Sequence, residues 1–387
     1  MADLHPHDVR VVVLVTMPMR TCPSTARRTV ASASGFTLLE LLVAMGLMTL
    51  VMAITLGGLS DATKANESVM SLTSMNNSIR IGMDMLVRDL LQVGSGLPPS
   101  HVVLIPSGAG STQVKIPGPP GTAFTLAAGT LNVAAVVPLP GVGPTINGTP
   151  TDVVATLSAD NTFLNLSMTA MTSTTVDIAA GTNIATGPDR VTTGQLMMVT
   201  KGSTTTLLEV TAVDTSTRRL TFAAGDSLNL NQSGAAAGTL AALIAVAPAN
   251  TPSAATISRV RLITYYLDAT TDPQHPRMVR RINNGNATTF NNQLGNAVAI
   301  DIENMQFTYD IVDGNTNPAS VRMVAADLAG TGSCAPSACA ASQIRKINIA
   351  LTGRSQNAVN TQSRVYRNTL TSEVSFRGMA FVNEYAP

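Results

Sequence analysis

The first long pattern in the chain is an apolar run over residues 36–59. A run of about 24 residues is long enough to cross a hydrocarbon core of about 30 Å as a helix. Beyond it, apolar residues recur at helical spacing and mark one face of an amphipathic helix, at Ile79, Met83, Leu86 and Leu90. Gly94-Ser95-Gly96 and Pro98-Pro99 then form a stop signal. The pattern predicts one long helix over residues 36–93, with a transmembrane segment at 36–59.

After the predicted helix, short apolar runs alternate with turn residues, which is typical of β-strands. Residues 94–250 are rich in Gly, Pro and Thr and are interpreted as a β insertion region. Within it, three runs separated by turn residues predict a meander of short antiparallel strands, at residues 195–199, 206–210 and 219–222.

Residues 251–387 are predicted to form a C-terminal β-sheet domain. It begins with a strand at 260–267 and a hairpin partner at 278–282. Alternating apolar positions predict further strands, at residues 298–309, at 344–351 and in a closing segment at 371–377. The fold class is therefore α+β: a long N-terminal helix, half transmembrane and half amphipathic, followed by a β-rich region of antiparallel sheets.

Composition narrows the classes of function. The chain has 387 residues with 24 basic and 23 acidic side chains, and only 3% of its residues are aromatic. This near-neutral balance argues against nucleic acid as a partner. Arg277, Arg280 and Arg281 cluster, and Arg259 and Arg261 are expected on the adjacent strand. A solvated sheet face or a contact between subunits explains these arginines better than a nucleic-acid patch.

Signals for catalysis are weak. Of the four histidines, His5 and His7 precede the apolar run, and His101 and His275 are far apart. The sequence shows no nucleophile elbow, Walker loop, dinucleotide fingerprint or zinc-binding helix. The Gly-rich stretch at residues 108–110 lacks the lysine and the helix that a phosphate-binding loop needs. We therefore expect no enzyme activity and no cofactor.

One carboxylate, Glu40, lies inside the apolar run, within Gly35-Phe36-Thr37-Leu38-Leu39-Glu40. A charge in hydrocarbon costs about a few kcal/mol unless it is paired, so an acid there is a functional hypothesis by default. Arg27 and Arg28 precede the run, and the positive-inside rule keeps them in the cytoplasm and sends the following region outward. Residues 1–35 are therefore interpreted as a basic leader ahead of an anchor helix.

This junction resembles the class III signal of type IV prepilins. The resemblance implies that prepilin peptidase cuts between Gly35 and Phe36 and methylates the new Phe36 amine. It also implies that Glu40 pairs with the Phe36 amine of a neighbouring subunit as helices leave the bilayer for a growing filament. An ordinary signal anchor with a stray glutamate is the alternative, and a start at Met17 or Met19 would give a shorter leader.

The order of the C-terminal segments resembles PilW-like minor pilins and the minor pseudopilins of type II secretion. The shared features are the Tyr265-Tyr266-Leu267 strand, the Arg280-Arg281 hairpin, and segments at 302–310, 344–351 and 374–377. The resemblance implies a minor pilin or pseudopilin of a type IV pilus-like filament. Because the exported region is larger than that of a typical major subunit, a place in initiation or at the tip is expected.

The same resemblance implies the partners and the location. The partners are prepilin peptidase, other major and minor pilins or pseudopilins, the inner-membrane assembly platform and membrane lipid. The precursor would cross the bacterial inner membrane once, with its C-terminal domain exported, and then enter a pilus or pseudopilus. Two alternatives stay open: an adhesin or DNA-binding module displayed on a pilus, and a membrane-anchored periplasmic protein outside any filament. The sequence does not indicate whether the filament serves motility, DNA uptake or secretion.

Two further clusters bear on the exported region. Cys334 and Cys339 are close neighbours in a Gly- and Ser-rich loop, and outside the cytoplasm such a pair is most simply a disulfide. Cys22 falls in the leader, and no nearby His or Cys completes a metal site. Residues 310–317 form an oxygen-rich turn with Asp310 at its start, but they lack the EF-hand glutamate. A polar hairpin turn is preferred there, and no metal site is expected.

Overall fold

The computed structural model of the chain describes residues 35–98, 102–119, 123–127, 129–187, 189–246, 255–270, 272–283, 296–311, 322–323, 341–356, 365–376 and 378. The chain divides into two compact units, Met1–Asp61 and Ala62–Pro387. The architecture is α+β, as predicted: one long N-terminal helix is followed by a β-rich region of largely antiparallel sheets.

Helix α1, Leu38–Leu90, is the predicted long helix. Every described residue of the first unit is exposed. In the second unit the helix buries the predicted apolar face, at Ile79, Met83, Leu86 and Leu90, and it buries Met75 as well. Each such side chain contributes about 1.5–3 kcal/mol when fully buried. The helix ends in a run of turns in which Gly94 and Gly96 have φ of 76° and 67°, the left-handed conformation that glycine adopts without strain.

The strands are short in the first half of the β-rich region and longer in the second half. The first seven strands are β1 (Val102–Leu104), β2 (Lys115–Ile116), β3 (Phe124–Thr125), β4 (Asn132–Ala134), β5 (Val136–Leu139), β6 (Thr145–Ile146) and β7 (Thr149–Pro150). The next seven are β8 (Val153–Ala159), β9 (Leu166–Met171), β10 (Thr175–Ile178), β11 (Leu196–Lys201), β12 (Thr204–Glu209), β13 (Ala212–Asp214) and β14 (Arg219–Thr221).

A short helix, α2 (Leu240–Ile244), precedes the longer strands, and its N-cap Thr239 accepts a hydrogen bond from the Ala242 amide. The remaining strands are β15 (Ala255–Asp268), β16 (Arg277–Ile282), β17 (Asn296–Ile300), β18 (Ile302–Ile311), β19 (Arg322–Met323), β20 (Ile344–Arg354) and β21 (Arg367–Ser375). A 3-10 turn, Ala341–Gln343, leads into β20.

Strand β15 is the centre of a 13-stranded sheet. Its first half pairs with β9 and β11, and its second half pairs with β8 and β16, all antiparallel. The sheet continues through β11, β12, β1 and β4 on one side and through β9, β10, β14 and β13 on the other. The pairing of β1 with β12 is parallel. Because β15 pairs with strands from both predicted segments, residue 250 does not mark a boundary between sheets.

Strands β18, β19, β20 and β21 form a second antiparallel sheet, in the order β19-β18-β20-β21. The predicted strand at 344–351 is confirmed as part of β20, in which buried and half-buried residues alternate. The predicted closing segment is confirmed too, since β21 pairs with β20 over residues 367–375. The buried face of α1 packs into one core with side chains of this sheet and of β15 and β16.

The hairpin predicted at 260–267 and 278–282 is confirmed, with Tyr266 opposite Val279. The strand predicted at 298–309 is wrong as a single element. It breaks at Asp301, which has φ 58°, so that β17 stays in the large sheet and β18 enters the second one. The Asp301 carbonyl accepts a hydrogen bond from the Arg354 amide at 2.9 Å, which ties the break to β20.

The meander predicted within residues 195–222 is only partly present. Strands β11 and β12 form a hairpin, with Met198 opposite Leu207. Strand β14 does not continue it, because it pairs with β10 and β13 instead. Turn residues between strands correctly indicated chain reversals, but they could not indicate which strand becomes the next neighbour.

Candidate functional site

The candidate site is the start of α1, where Thr37 and Glu40 form a capping box. Thr37 precedes the first helical residue, and its Oγ1 accepts a hydrogen bond from the Glu40 amide at 3.3 Å. In return, Glu40 Oε2 accepts from the Thr37 amide at 3.0 Å and from the Thr37 hydroxyl at 3.1 Å. Reciprocal bonds of this kind satisfy amide groups that a helix N-terminus otherwise leaves without partners.

The Gly35-Phe36 junction lies immediately outside this box. The Phe36 side chain is 86% exposed, and a Cβ placed on Gly35 would meet no atom within 4 Å. The peptide bond between these residues is therefore open to another molecule. The amide that donates to Glu40 belongs to Thr37, the residue after Phe36, so the carboxylate lies one residue from the amine that cleavage at this junction would create.

Thr37 was not among the predicted site residues, because the prediction started from the one charge in the apolar run, Glu40. The signal was present, since Thr37-Leu38-Leu39-Glu40 has the Thr-x-x-Glu spacing of a capping box. The same carboxylate also lies near the positive end of the helix dipole, which favours an anion at this position.

The first part of α1 exposes an apolar surface. Its most apolar 18-residue window is long and apolar enough to cross a membrane, and none of that window is buried. The large exposed side chains include Leu42, Met48, Val51, Ile54 and Leu59. Such a continuous apolar surface is not stable in water and needs cover from lipid or from other apolar helices.

In the second unit, Asp89 anchors α1 to the large sheet. Its side chain is only 6% exposed. Its Oδ2 accepts hydrogen bonds from Tyr265 Oη and from Arg280 Nε, each at 2.5 Å, and its Oδ1 accepts from Arg280 Nη2 at 3.0 Å. Burial, together with this bond to Asp89 and its charge, raises the pKa of Tyr265 well above its usual range.

The predicted arginine cluster is therefore divided among separate partners. Arg259 and Arg261 both bind Asp160, at 3.0 and 2.9 Å. Burial raises the pKa of Asp160, but hydrogen bonds from Thr162 and Arg261 and the charge of Arg259 outweigh it, so that this pKa lies below its usual value. Arg277 binds Asp268, and Arg281 donates a hydrogen bond to the Gly118 carbonyl. Each of these arginines therefore has an acidic or carbonyl partner within the fold.

No sequence pattern predicted the buried pair of carboxyl groups at the end of β12, Glu209 and Asp226. Glu209 is 4% exposed and accepts hydrogen bonds from Ser227 Oγ at 3.1 and 3.2 Å. Asp226, 7% exposed, accepts from the amides of Leu230 and Asn231 at 2.8 Å each. Burial, followed by the charge of Asp226, raises the pKa of Glu209 to about 7. No periodic signal in the sequence relates residues that meet in this way.

Several predicted residues lie outside the described part of the chain. They include the leader up to residue 34, the predicted disulfide Cys334–Cys339, and residues 313–317 of the oxygen-rich turn. Asp310 is described at the end of β18, where its Oδ1 accepts a hydrogen bond from Asn348 at 3.1 Å. Among the described residues, no group of three or more His, Cys, Asp or Glu side chains could hold a metal ion.

Comparison with known protein families gives a match at the start of α1. A family model described as the prokaryotic N-terminal methylation motif matches residues 31–56. The matched residues include the Gly35-Phe36 junction, the capping box and the first turns of the exposed apolar helix. No curated protein and no solved structure matches the chain.

Proposed function

We propose, from the premise that the chain is a type IV prepilin-like protein, that it is a minor pilin or pseudopilin. In this proposal prepilin peptidase cuts between Gly35 and Phe36 and methylates the Phe36 amine, and the mature chain enters a pilus-like filament in initiation or at the tip. The observation that carries the proposal is the methylation motif, which lies on an exposed apolar helix joined to a large β-rich unit.

The methylation motif directly supports a type IV pilin-like precursor. It implies processing by a prepilin peptidase and assembly with other pilins. It suggests a structural subunit rather than an enzyme. The apolar helix fits an anchor for an inner-membrane precursor.

Exposure of the first part of α1 supports assembly as the next step. Burying apolar surface is worth about 25 cal/mol per Å², so the first part of α1, whose apolar side chains are exposed, gains from cover. Lipid supplies that cover in the precursor. When the helix leaves the membrane, the helices of neighbouring subunits are the cover that keeps it out of water.

Glu40 supports the same step through its charge. The capping box holds its carboxylate at the helix start, one residue from the peptide bond that is proposed to be cut. Cleavage would create a positive amine at Phe36, and methylation keeps that charge. In the filament, Glu40 pairs with the Phe36 amine of a neighbouring subunit, which neutralises the charge of the carboxylate in an apolar environment.

The size of the second unit supports a place in initiation or at the tip. Ala62–Pro387 carries a 13-stranded sheet, a second sheet and two separate hairpins. A major subunit packs many copies side by side and leaves little room for an exported region of this size. A subunit present in few copies, with one side free of neighbours, does not meet that limit.

The experiment is to express tagged full-length chain in its host, shear the cells, and measure the protein in the filament and membrane fractions. Glu40→Ala should keep the protein in the membrane fraction. Asp84→Ala is the matched control, because Asp84 is an exposed carboxylate on the same helix in the second unit. Equal filament fractions for Glu40→Ala, Asp84→Ala and the unaltered chain would favour an ordinary membrane anchor instead.

A further inference from the structure

Strand β21 forms one edge of the second sheet and is nine residues long. Among the described strands its neighbour is β20, and the nine residue pairs between them run without a shift in register. The strands at the other ends of the two sheets, β4, β13 and β19, are only two or three residues long. Strand β21 is therefore the longest edge that the described part of the chain presents to another strand.

The backbone groups of β21 point alternately towards β20 and away from it. At one end of the ladder, the Phe376 amide donates a hydrogen bond to the Arg345 carbonyl at 2.9 Å. In an antiparallel pair every second residue bonds to the same neighbour, so the even-numbered residues within 366–376 face β20. The N–H and C=O groups of Thr369 and Thr371 therefore point to the outer side of the sheet, where a further strand could bind them.

The sequence of β21 carries few of the features that protect edge strands, which are proline, lysine, bulges and short length. Residues 368–372 are Asn-Thr-Leu-Thr-Ser, with no proline and no charge, and no bulge interrupts the strand. Its two charges are Arg367 and Glu373, which have opposite signs and lie about 20 Å apart at 3.4 Å per residue. Their side chains are 51% and 48% exposed, and each binds one oppositely charged residue within the chain. A strand that fits this edge is therefore uncharged in its middle and carries complementary charges towards its ends.

We propose that β21 binds the β21 strand of a second copy of this chain, antiparallel, with Leu370 opposite the partner's Leu370. In this register Arg367 lies opposite the partner's Glu373, and Thr369 lies opposite the partner's Thr371. The outward backbone groups of the two Thr369–Thr371 pairs then form four hydrogen bonds. In the antiparallel registers shifted by two residues, Arg367 and Glu373 both face uncharged residues instead. The strand is thus its own complement in one register.

An apolar contact at the centre of the two strands adds to this pairing. Leu370 is half-buried and packs against the core that α1 shares with the second sheet. A residue pair without backbone hydrogen bonds brings its Cα atoms to about 4.5 Å, so the two Leu370 side chains would cover each other. An interface limited to one pair of strands belongs to the weak class, below about 1,200 Å² of buried surface. We therefore expect a dimer that forms reversibly as the concentration rises.

The symmetry of this pairing determines which copies can bind each other. The two-fold axis of an antiparallel strand pair stands perpendicular to the sheet, so it reverses the direction of the α1 segment that packs on the sheet. Neighbours along one filament, in contrast, carry this segment in the same direction. Pairing through β21 therefore joins copies from two filaments. This last step rests on the proposed function, whereas the pairing itself does not.

The first test measures the mass of the purified full-length chain in detergent by sedimentation velocity. The unaltered chain should form dimers as its concentration rises towards about 100 µM, as expected of a weak interface. Thr371→Pro removes an outward N–H without removing a bond to β20, so it should weaken the dimer at least about tenfold. Thr371→Ala is the matched control and should dimerise normally. A chain that stays monomeric, or equal dimerisation of Thr371→Pro and Thr371→Ala, would overturn the proposal.

Dimerisation in detergent and presence in the filament fraction are separate readouts, so the two proposals can fail separately. If the chain dimerises through β21 but never enters the filament fraction, the proposed function is wrong and the pairing stands. If the chain enters the filament fraction but does not dimerise, the pairing is wrong and the filament role stands.

An exchange of charges tests the register. Arg367→Glu alone and Glu373→Arg alone each place like charges opposite each other, so each variant should dimerise at least about tenfold more weakly. An equimolar mixture of the two variants restores both opposite-charge pairs and should dimerise like the unaltered chain. Neither variant regains its ion pair within its own chain in the mixture, so recovery cannot come from repair of the fold. A mixture that dimerises no better than either variant alone would overturn the proposed pairing.

Discussion

The buried contact of Asp89 predicts how firmly α1 is held in the second unit. Asp89→Ala would remove three hydrogen bonds, two from Arg280 and one from Tyr265. The guanidinium of Arg280, whose side chain is 18% exposed, and the buried Tyr265 hydroxyl would then lack their anionic partner. Removing one partner of a buried ion pair costs about 3–5 kcal/mol.

The partial exposure of Arg280 places the expected loss near the lower end, at about 3 kcal/mol, because water can solvate part of the freed guanidinium. The assay is urea unfolding of the full chain in detergent, followed by circular dichroism of the β-sheet signal. Asp84→Ala is the control, and it should change the free energy of unfolding by no more than about 0.5 kcal/mol, as exposed substitutions do.

A double-mutant cycle with Arg280→Ala then isolates the pair. If Asp89 and Arg280 stabilise the protein mainly through each other, the double variant should lose much less than the sum of the two single losses. A stabilising Asp89–Arg280 pair is ruled out if Asp89→Ala is as stable as Asp84→Ala, or if the effects of Asp89→Ala and Arg280→Ala simply add.

Two further predictions concern the β-rich unit. Because burial and the charge of Asp226 raise the pKa of Glu209 from 4.5 to about 7, the folded state holds a proton there that the unfolded chain has lost. The free energy of unfolding should therefore fall by up to roughly 3 kcal/mol as pH rises from 5 to 8. Urea unfolding at each pH measures this slope, and Glu209→Gln should remove most of it. An unchanged slope in Glu209→Gln would show that Glu209 is not its cause. Gly353→Val should destabilise the protein by about 1–3 kcal/mol, because a Cβ there would lie 2.7 Å from Ile79 Cγ1. Ile79→Ala removes that atom, so it should cost less stability in the Gly353→Val background than alone if this clash is the cause.

The helix and its buried face could be predicted from the sequence because both are local, periodic signals. Ile79, Met83 and Leu86 repeat at helical spacing, and the structure buries all three. Asp89 lies beside this apolar stripe, and a charge at such a position has no local explanation. Its partners are 176 and 191 residues away in sequence, so only the fold shows why the carboxylate is buried.

The break between β17 and β18 at Asp301 could not be predicted, for a different reason. Apolar and polar residues alternate through residues 298–309, so the pattern favours one continuous strand. A single left-handed residue changes the direction of the chain without changing the composition, and aspartate tolerates that conformation better than most residues. The strand order of the large sheet could not be predicted from the sequence, since β15 pairs with strands from distant parts of the chain.

The candidate site was the most predictable part of the molecule. Gly35, Phe36 and Glu40 are neighbours in sequence, so their chemistry can be inferred without knowing the fold. Thr37 needed only the Thr-x-x-Glu spacing to be recognised as the partner of Glu40. The contact between Ser78 of α1 and Ile300 of β17, in contrast, joins residues that are 222 positions apart in the chain.

The most direct test of prepilin processing is mass spectrometry of the intact membrane-associated protein and of its N-terminal peptide. We predict a mature chain that begins at Phe36 with a methylated amine. An uncut chain, or one cut at another residue, would contradict it and leave a signal-anchored, β-rich protein that does not enter a filament by this route.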